Sequence, residues 1–86
     1  MNENTKTIIR YRLKRARECL MDANSLFNSE SLHSTVNRIY YAMYYSINAL
    51  LLTKNLSIIF VSEAESAALL ILSSGIEIID KIYQRG

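Results

Sequence analysis

Arg38 and Tyr45 are the two residues of this 86-residue chain whose types and spacing best suit chemistry. Seven residues apart on a helix, they lie two turns apart and only about 20° apart around the axis, so they share a face. A guanidinium can hold a phosphate through two hydrogen bonds, and a neighbouring group can move a proton. Tyrosine, with an ordinary pKa near 10, is a poor base at neutral pH. Three roles stay open for the pair: packing and stacking at an interface, contact with a ligand or RNA, and catalysis.

A row of cations on the first predicted helix is the second candidate site. Six of the ten basic residues lie between Lys6 and Arg17, and Arg10, Lys14 and Arg17 fall on one flank of that helix. Such a row can bind RNA phosphates or an acidic partner, or it can be a solvated face. Tyr41, beside Arg38, could stack on a base, although tyrosines at helical spacing also pack in cores and interfaces.

Two long helices are predicted to position these residues. The first runs from Thr5 to about Asn28, with apolar residues at alternating spacings of four and three. Its core row is Ile9, Leu13, Ala16, Leu20, Ala23 and Phe27. Cys19 falls outside that row and is predicted to be a free thiol without a chemical role. Asn and Ser at 28–31 favour a break, so the two helices should form an antiparallel hairpin.

The second helix is predicted from about Ser31 to Lys54 and is apolar nearly all round. Its core row is predicted to be Val36, Tyr40, Met43, Ile47 and Leu50. The opposite face, around Arg38, carries Tyr41, Ala42, Tyr45, Ala49 and Leu52. A helix apolar on both faces is buried on both sides, which predicts a homodimer or a partner on the Arg38 face. A glutamate at Ala42 or Ala49 is then expected to separate the dimer.

The third helix is predicted to open at Ser62, because Ser62 and Glu65 form a capping-box pattern. Residues 58–61 are predicted to be an apolar connector packed on the hairpin. The core row runs to about Tyr83 through Ala64, Ala68, Ile71, Gly75, Ile78 and Ile82. An alternative stays open, in which the helix ends near Leu72 and a short one begins at Ile76.

Composition indicates the fold class and the cellular location of the protein. Half of the residues are hydrophobic and there is no proline, which predicts an all-α protein: one domain over residues 1–86, an up-and-down bundle of three to four helices. No charge-free apolar run reaches the roughly 18 residues of a membrane span, and the N-terminus lacks a signal peptide's apolar segment. We therefore expect a cytoplasmic protein that does not bind a membrane. One cysteine and one histidine predict no metal site, and no cofactor is expected.

The stretch from about Ile9 to Asn55 resembles the HEPN family (higher eukaryotes and prokaryotes nucleotide-binding domain), in particular its small stand-alone prokaryotic members. The resemblance lies in YRLKRARE from Tyr11, VNRIYYAMYY from Val36 and ALLL from Ala49. It implies a helical bundle that commonly dimerises. It also implies a minimal nucleotidyltransferase as partner, in a toxin–antitoxin pair. Many such proteins are metal-independent ribonucleases.

The resemblance further implies an active site made of an arginine and a following histidine, completed across a dimer interface. Arg38 matches the arginine, but no histidine follows it, and the position seven residues on is Tyr45. The chain is also shorter than ordinary members, and Leu56 onward does not match their middle region. We therefore expect a HEPN-like component of a nucleotidyltransferase-linked or toxin–antitoxin-like system that dimerises and binds RNA or nucleotide without full ribonuclease activity. The alternatives are a metal-independent ribonuclease toxin that uses Arg38, with Tyr45 or a partner residue in place of the histidine, and a structural helical interaction module.

Overall fold

The chain folds into three helices that run up, down and up. The computed structural model describes residues 2–85, in which α1 spans Asn2–Asn28, α2 spans Leu32–Leu51 and α3 spans Ile58–Arg85. The bundle is 46 Å long and 17 by 14 Å across. The prediction of an all-α bundle led by a helical hairpin is confirmed, and no strand occurs among the described residues.

The core row predicted for α1 is confirmed, and one residue joins it. Ile9, Leu13 and Ala16 are buried, and Leu20 packs against the core. Cys19 is fully buried in the same core, so the prediction that it lies outside was wrong. The reason is that α1 contacts both α2 and α3, which requires a buried face wider than a single row.

α1 ends at the predicted break, and a short turn connects it to α2. The Ser31 N–H donates to the Leu26 carbonyl at 2.9 Å, and the Glu30 N–H donates to the Phe27 carbonyl at 3.0 Å. Glu30 has φ 62°, the left-handed conformation that this type of C-terminal cap needs. The short turn places α2 antiparallel to α1, as predicted.

The face of α2 that enters the core is not the predicted one. The buried residues are Thr35, Ile39, Ala42, Ser46 and Ala49. Val36, Tyr40 and Ile47, predicted to be core, are 51%, 61% and 50% exposed. Ala42 and Ala49, predicted to lie at a dimer contact, are inside the protomer instead. α2 also ends at Leu51, three residues before the predicted Lys54.

Small side chains explain the choice of face. Ala42 and Ala49 share one core with Ala16 and Cys19 of α1, and residues of this size let two helix backbones approach closely. The hydroxyl of Ser46, which is fully buried, donates to the Ala42 carbonyl at 2.8 Å. Thr35 donates in the same way to the Ser31 carbonyl at 2.8 Å. These bonds satisfy the two hydroxyls within α2, so both residues can be buried.

The third helix starts four residues earlier than predicted. Ser57 caps it: the Phe60 N–H donates to Ser57 Oγ at 3.3 Å, so 58–61 is the first turn of α3 rather than a connector. The predicted core row is confirmed, with Ala64, Ala68, Ile71, Gly75 and Ile78 buried. The helix is continuous through Gly75, which contradicts the alternative of a break near Leu72.

Gly75 marks the place where α3 crosses α2. A Cβ atom there would lie 3.5 Å from both Ile39 Cγ2 and Met43 Cε, which is ordinary van der Waals contact. Ile39 and Met43 therefore define the side of α2 that faces α3.

Among the described residues, one helix is long and apolar enough to cross a membrane. It is α3, with a mean hydropathy of 1.5 over its most apolar 18-residue window, 28% of which is buried in the bundle. Core helices also meet this criterion, so the observation is weak evidence for a membrane.

Candidate functional site

Arginines and tyrosines gather along one edge of the bundle, where α1 meets α2. We call this edge the α1/α2 seam; it comprises Arg12, Arg15, Cys19, Arg38, Tyr41 and Tyr45. The three α1 residues and the three α2 residues each follow spacings of three and four, so each set forms one row along its helix. The seam thus contains both residues singled out for chemistry, together with two arginines that come from α1.

Arg38 is held in place by two neighbouring side chains. Its Nη2 donates to Cys19 Sγ at 3.2 Å, and its guanidinium carbon lies 5.5 Å from the centre of the Tyr41 ring. The Nε of Arg38 is buried and has no hydrogen-bond partner in the described structure. The guanidinium is therefore fixed in place with an unused N–H.

Arg15, rather than Arg38, is the cation beside Tyr45. Its guanidinium carbon lies 5.8 Å from the centre of the Tyr45 ring, and Nη1 lies 2.6 Å from Glu18 Oε1. The hydrogen bond to Glu18 raises the pKa of Arg15 above its ordinary value, and a hydrogen bond with Tyr45 adds to the rise, against a smaller lowering by burial. Arg15 is therefore cationic at any physiological pH.

Arg12 continues the seam one turn before Arg15. It is half-buried, and its Nε, like that of Arg38, is buried without a hydrogen-bond partner in the described part of the chain. Neither Arg12 nor Arg15 was predicted from the sequence as a site residue. The dense run of cations from 10 to 17 holds two helical rows, and only the packing of α1 shows which row borders α2.

The predicted cation row faces the other way, toward α3. Arg10, Lys14 and Arg17 are all exposed, and the guanidinium carbon of Arg10 lies 5.2 Å from the centre of the Phe60 ring. Arg10 and Arg17 line a cleft between α1 and α3 that also contains Glu63. The structure therefore separates this row from Arg38, Tyr41 and Tyr45, and a carboxylate partly offsets its positive charge.

The seam can bind an anion and donate hydrogen bonds, but it lacks a base for neutral pH. Its polar groups are guanidinium, phenol and thiol, and the single histidine, His33, lies exposed near the start of α2. Within residues 2–85, no three His, Cys, Asp or Glu side chains are grouped as metal ligands would be. The chemistry of the edge is recognition of negative charge.

The model of the HEPN domain matches residues 9–83. The chain belongs to the HEPN family. The family resemblance stated from the residues is therefore confirmed, and it extends through most of α3, well beyond Asn55.

Two relatives match parts of this HEPN chain. A UPF0332 protein of Thermotoga maritima is 61% identical over 57 residues, which are 66% of this chain and 42% of the relative. A protein of Methanocaldococcus jannaschii named "Putative toxin" is 42% identical over 45 residues, 52% of this chain and 31% of the relative. The chain thus spans less than half the length of these relatives. No solved structure matches it.

Proposed function

We propose that this HEPN protein is a component of a toxin–antitoxin-like system that binds RNA or nucleotide phosphate at the α1/α2 seam, without full ribonuclease activity. The family and the name of the Methanocaldococcus relative support the toxin-like setting. The arginines of the seam support a phosphate-containing ligand. We place Arg38 at the centre of the contact, with Tyr41 as a surface on which a base can stack.

The observation that carries this proposal is the pair of unused guanidinium donors. The Nε atoms of Arg12 and Arg38 are both buried without an acceptor, and each such donor costs about 1–3 kcal/mol when it stays unpaired. A phosphate oxygen is an acceptor that suits arginine in both charge and geometry. A phosphate oxygen that reaches either Nε after a shift of the half-buried side chain would pair a donor that no described residue pairs.

The alternative of a metal-independent ribonuclease requires a proton acceptor beside Arg38. Tyr45 is the candidate, but a phenol with an ordinary pKa near 10 is protonated at neutral pH. The Arg15 guanidinium lies beside the Tyr45 ring, and the polar groups of the seam, which are guanidinium, phenol and thiol, include no base for neutral pH. Weak or absent cleavage is therefore the expected behaviour of the native protein.

The proposal also includes the partners of the protein. We propose a homodimer that works in the cytoplasm beside a minimal nucleotidyltransferase. The exposed row of Arg10, Lys14 and Arg17 is the surface best suited to an acidic partner or to RNA that extends beyond the seam. The third possibility is a purely structural module. Such a module would give the buried unpaired donors of the seam no role.

Binding of a labelled single-stranded RNA, followed by fluorescence anisotropy over a range of salt, tests the proposal. Replacing both Arg12 and Arg38 by glutamine should weaken binding at least tenfold. It should also lower the slope of log Kd against log salt by about 1.4, since each phosphate contact with a single strand contributes about 0.7. Lys81→Gln, an exposed charge on α3, is the matched control and should leave the affinity within about twofold.

Two results would contradict RNA binding at the seam. Unchanged affinity and salt slope in the double variant, with its helical content intact, would contradict it. Loss of binding only when Arg10, Lys14 and Arg17 are all replaced by glutamine would move the contact to the α1/α3 edge.

A further inference from the structure

The ion pair between Arg15 and Glu18 on α1 is the closest of the ion pairs in residues 2–85. Arg15 Nη1 lies 2.6 Å from Glu18 Oε1, and the two atoms form a hydrogen bond. The other ion pairs in this part of the chain have nitrogen–oxygen distances of 3.7 to 3.8 Å. The tightest contact between opposite charges therefore involves an arginine of the α1/α2 seam.

This ion pair does not connect one helix to another. Arg15 and Glu18 are three residues apart on α1, so their contact joins neither α2 nor α3 to that helix. Their side chains are 34% and 42% exposed, and ion pairs with this much solvent access add little to stability. Holding the fold together is therefore a weak explanation for a carboxylate at this position.

Glu18 occupies a donor of Arg15 that a phosphate could use. Carboxylate and phosphate oxygens both accept hydrogen bonds from the planar fork of a guanidinium. Arg15 lies four residues before Cys19, the acceptor for Arg38, so these two positions of α1 are about 6 Å apart along the helix. An RNA strand with one phosphate at Arg38 can therefore bring a second phosphate to Arg15, where Glu18 already accepts from Nη1.

We propose that Glu18 is an internal competitor of the ligand: it occupies Arg15 in the free protein, and a phosphate of the bound RNA displaces it. The inference rests on the proposed function and names a residue that limits its affinity. The ligand must break the hydrogen bond between Glu18 and Arg15 before it can use that arginine. The displaced carboxylate then stays beside the seam, where it repels the phosphates.

The fluorescence anisotropy assay with labelled single-stranded RNA tests this inference in Glu18→Gln and Glu18→Ala. Both variants should bind RNA about two- to fivefold more tightly than the native chain, the range that the energies of exposed ion pairs give. The slope of log Kd against log salt should steepen by about 0.7, because Arg15 then exchanges a counterion, rather than Glu18, for the phosphate. Glutamine and alanine are good helix formers, so the far-UV helical signal should stay unchanged.

Two controls separate competition at Arg15 from a general loss of negative charge. Asp22→Asn removes the same charge one turn further along α1, at an exposed position. Because salt screens exposed charges over about 8 Å, this change should alter the affinity by less than about 1.5-fold. In an Arg15→Gln background, Glu18→Gln should give no gain, since the cation that Glu18 occupies is no longer there.

Several outcomes would overturn the inference and leave the proposed function in place, because the native chain binds RNA in each of them. One is an equal gain in Glu18→Gln and Asp22→Asn. Another is a gain from Glu18→Gln that persists without Arg15. A third is equal affinity of the native chain and both folded Glu18 variants.

Two further outcomes concern a native chain that binds no RNA. Binding by the Glu18 variants alone would support the inference, since removal of the competitor would then expose the contact. No binding by the native chain or by any folded variant would contradict both the inference and the proposed function.

Discussion

Arg38 is more constrained than an arginine on the surface of a helix usually is. A buried thiol accepts one of its N–H groups and an aromatic ring lies 5.5 Å from its charge, which leaves Nε directed at no partner among the described residues. A side chain already fixed in this way loses little conformational entropy when it binds a ligand. At the scale of the residue, Arg38 is therefore held in one place without a ligand, which suits the proposed phosphate contact.

Tyr45→His is the change that tests whether the seam lacks only a base. Histidine has an ordinary pKa near 6.5, and the nearby Arg15 cation opposes its protonation, so the ring should be neutral and able to accept a proton at pH 7.5. General acid–base catalysis contributes at least about 100-fold, and we expect a gain of that order in RNA cleavage in the presence of a chelator. Gel analysis of a labelled RNA measures it.

The controls for this variant lie on the same helix. Arg38→Ala in the Tyr45→His background should abolish the gain, because the phosphate loses its anchor. Tyr44→His, one residue away and exposed on another side of α2, should give no cleavage. A folded, RNA-binding Tyr45→His variant that stays inert would show that the seam lacks more than one residue of an active site.

Residue types alone could single out Arg38 and Tyr45, because two groups of useful chemistry at a helical spacing of seven must share a face. The same reasoning could not find Arg12, Arg15 or Cys19. All three lie in a helix with cations on several sides, and which row borders α2 depends on tertiary packing. Cys19 is the clearest example. It is fully buried and accepts a hydrogen bond from Arg38, and this contact between two helices depends on how they pack.

The start of α3 provides a prediction at the scale of the element. Ser57→Ala removes the Oγ that accepts the Phe60 N–H and should lower the free energy of unfolding by about 1 kcal/mol. Ser62→Ala is the matched control: if Ser62 capped the helix, as sequence predicted, it would cost as much. In the structure Ser62 is an exposed residue inside α3, where alanine has the higher helix propensity.

Urea unfolding followed by circular dichroism measures both changes. Equal losses of stability at the two serines would contradict a helix that begins at Ile58. A larger loss at Ser62 than at Ser57 would support the start predicted from the capping-box pattern.

The apolar rows of α1 and α3 could be predicted from the sequence, whereas the buried face of α2 could not. On α1 and α3 a single helical row collects the apolar residues, and that row enters the core. On α2 two rows compete, and the more hydrophobic one, with Val36, Tyr40 and Ile47, stays outside. The chosen row has small residues that permit close helix packing, and its Ser46 hydroxyl is satisfied by the helix backbone. Neither the close helix packing nor the satisfied hydroxyl can be predicted from hydropathy alone.

The three-helix arrangement gives the molecule two sides of different character. α1 packs against both other helices, so its residues close one side of α2 and create the seam with Arg38. The opposite side of α2 is flanked by α3 alone, and there the side chains of Val36, Tyr40 and Ile47 stay exposed. The proposed ligand contact at Arg38 therefore lies on a different side of α2 from these exposed apolar residues.

Ala42→Glu distinguishes this arrangement from the one predicted by sequence. Ala42 is 1% exposed and packs with α1, so a carboxylate there would be buried without a partner, at a cost of about 3–5 kcal/mol. An 86-residue domain has a total stability near the low end of about 5–15 kcal/mol. We expect the variant to lose most of its helical signal or to melt at least about 12 °C lower, as judged from the shift per kcal/mol for domains of this size. Asn37→Glu, at an exposed position of α2, should melt within about 2 °C of the native protein. If Ala42→Glu instead produced stable, fully helical monomers from a dimer, Ala42 would lie at an interface between copies, and the packing of α2 described above would be wrong.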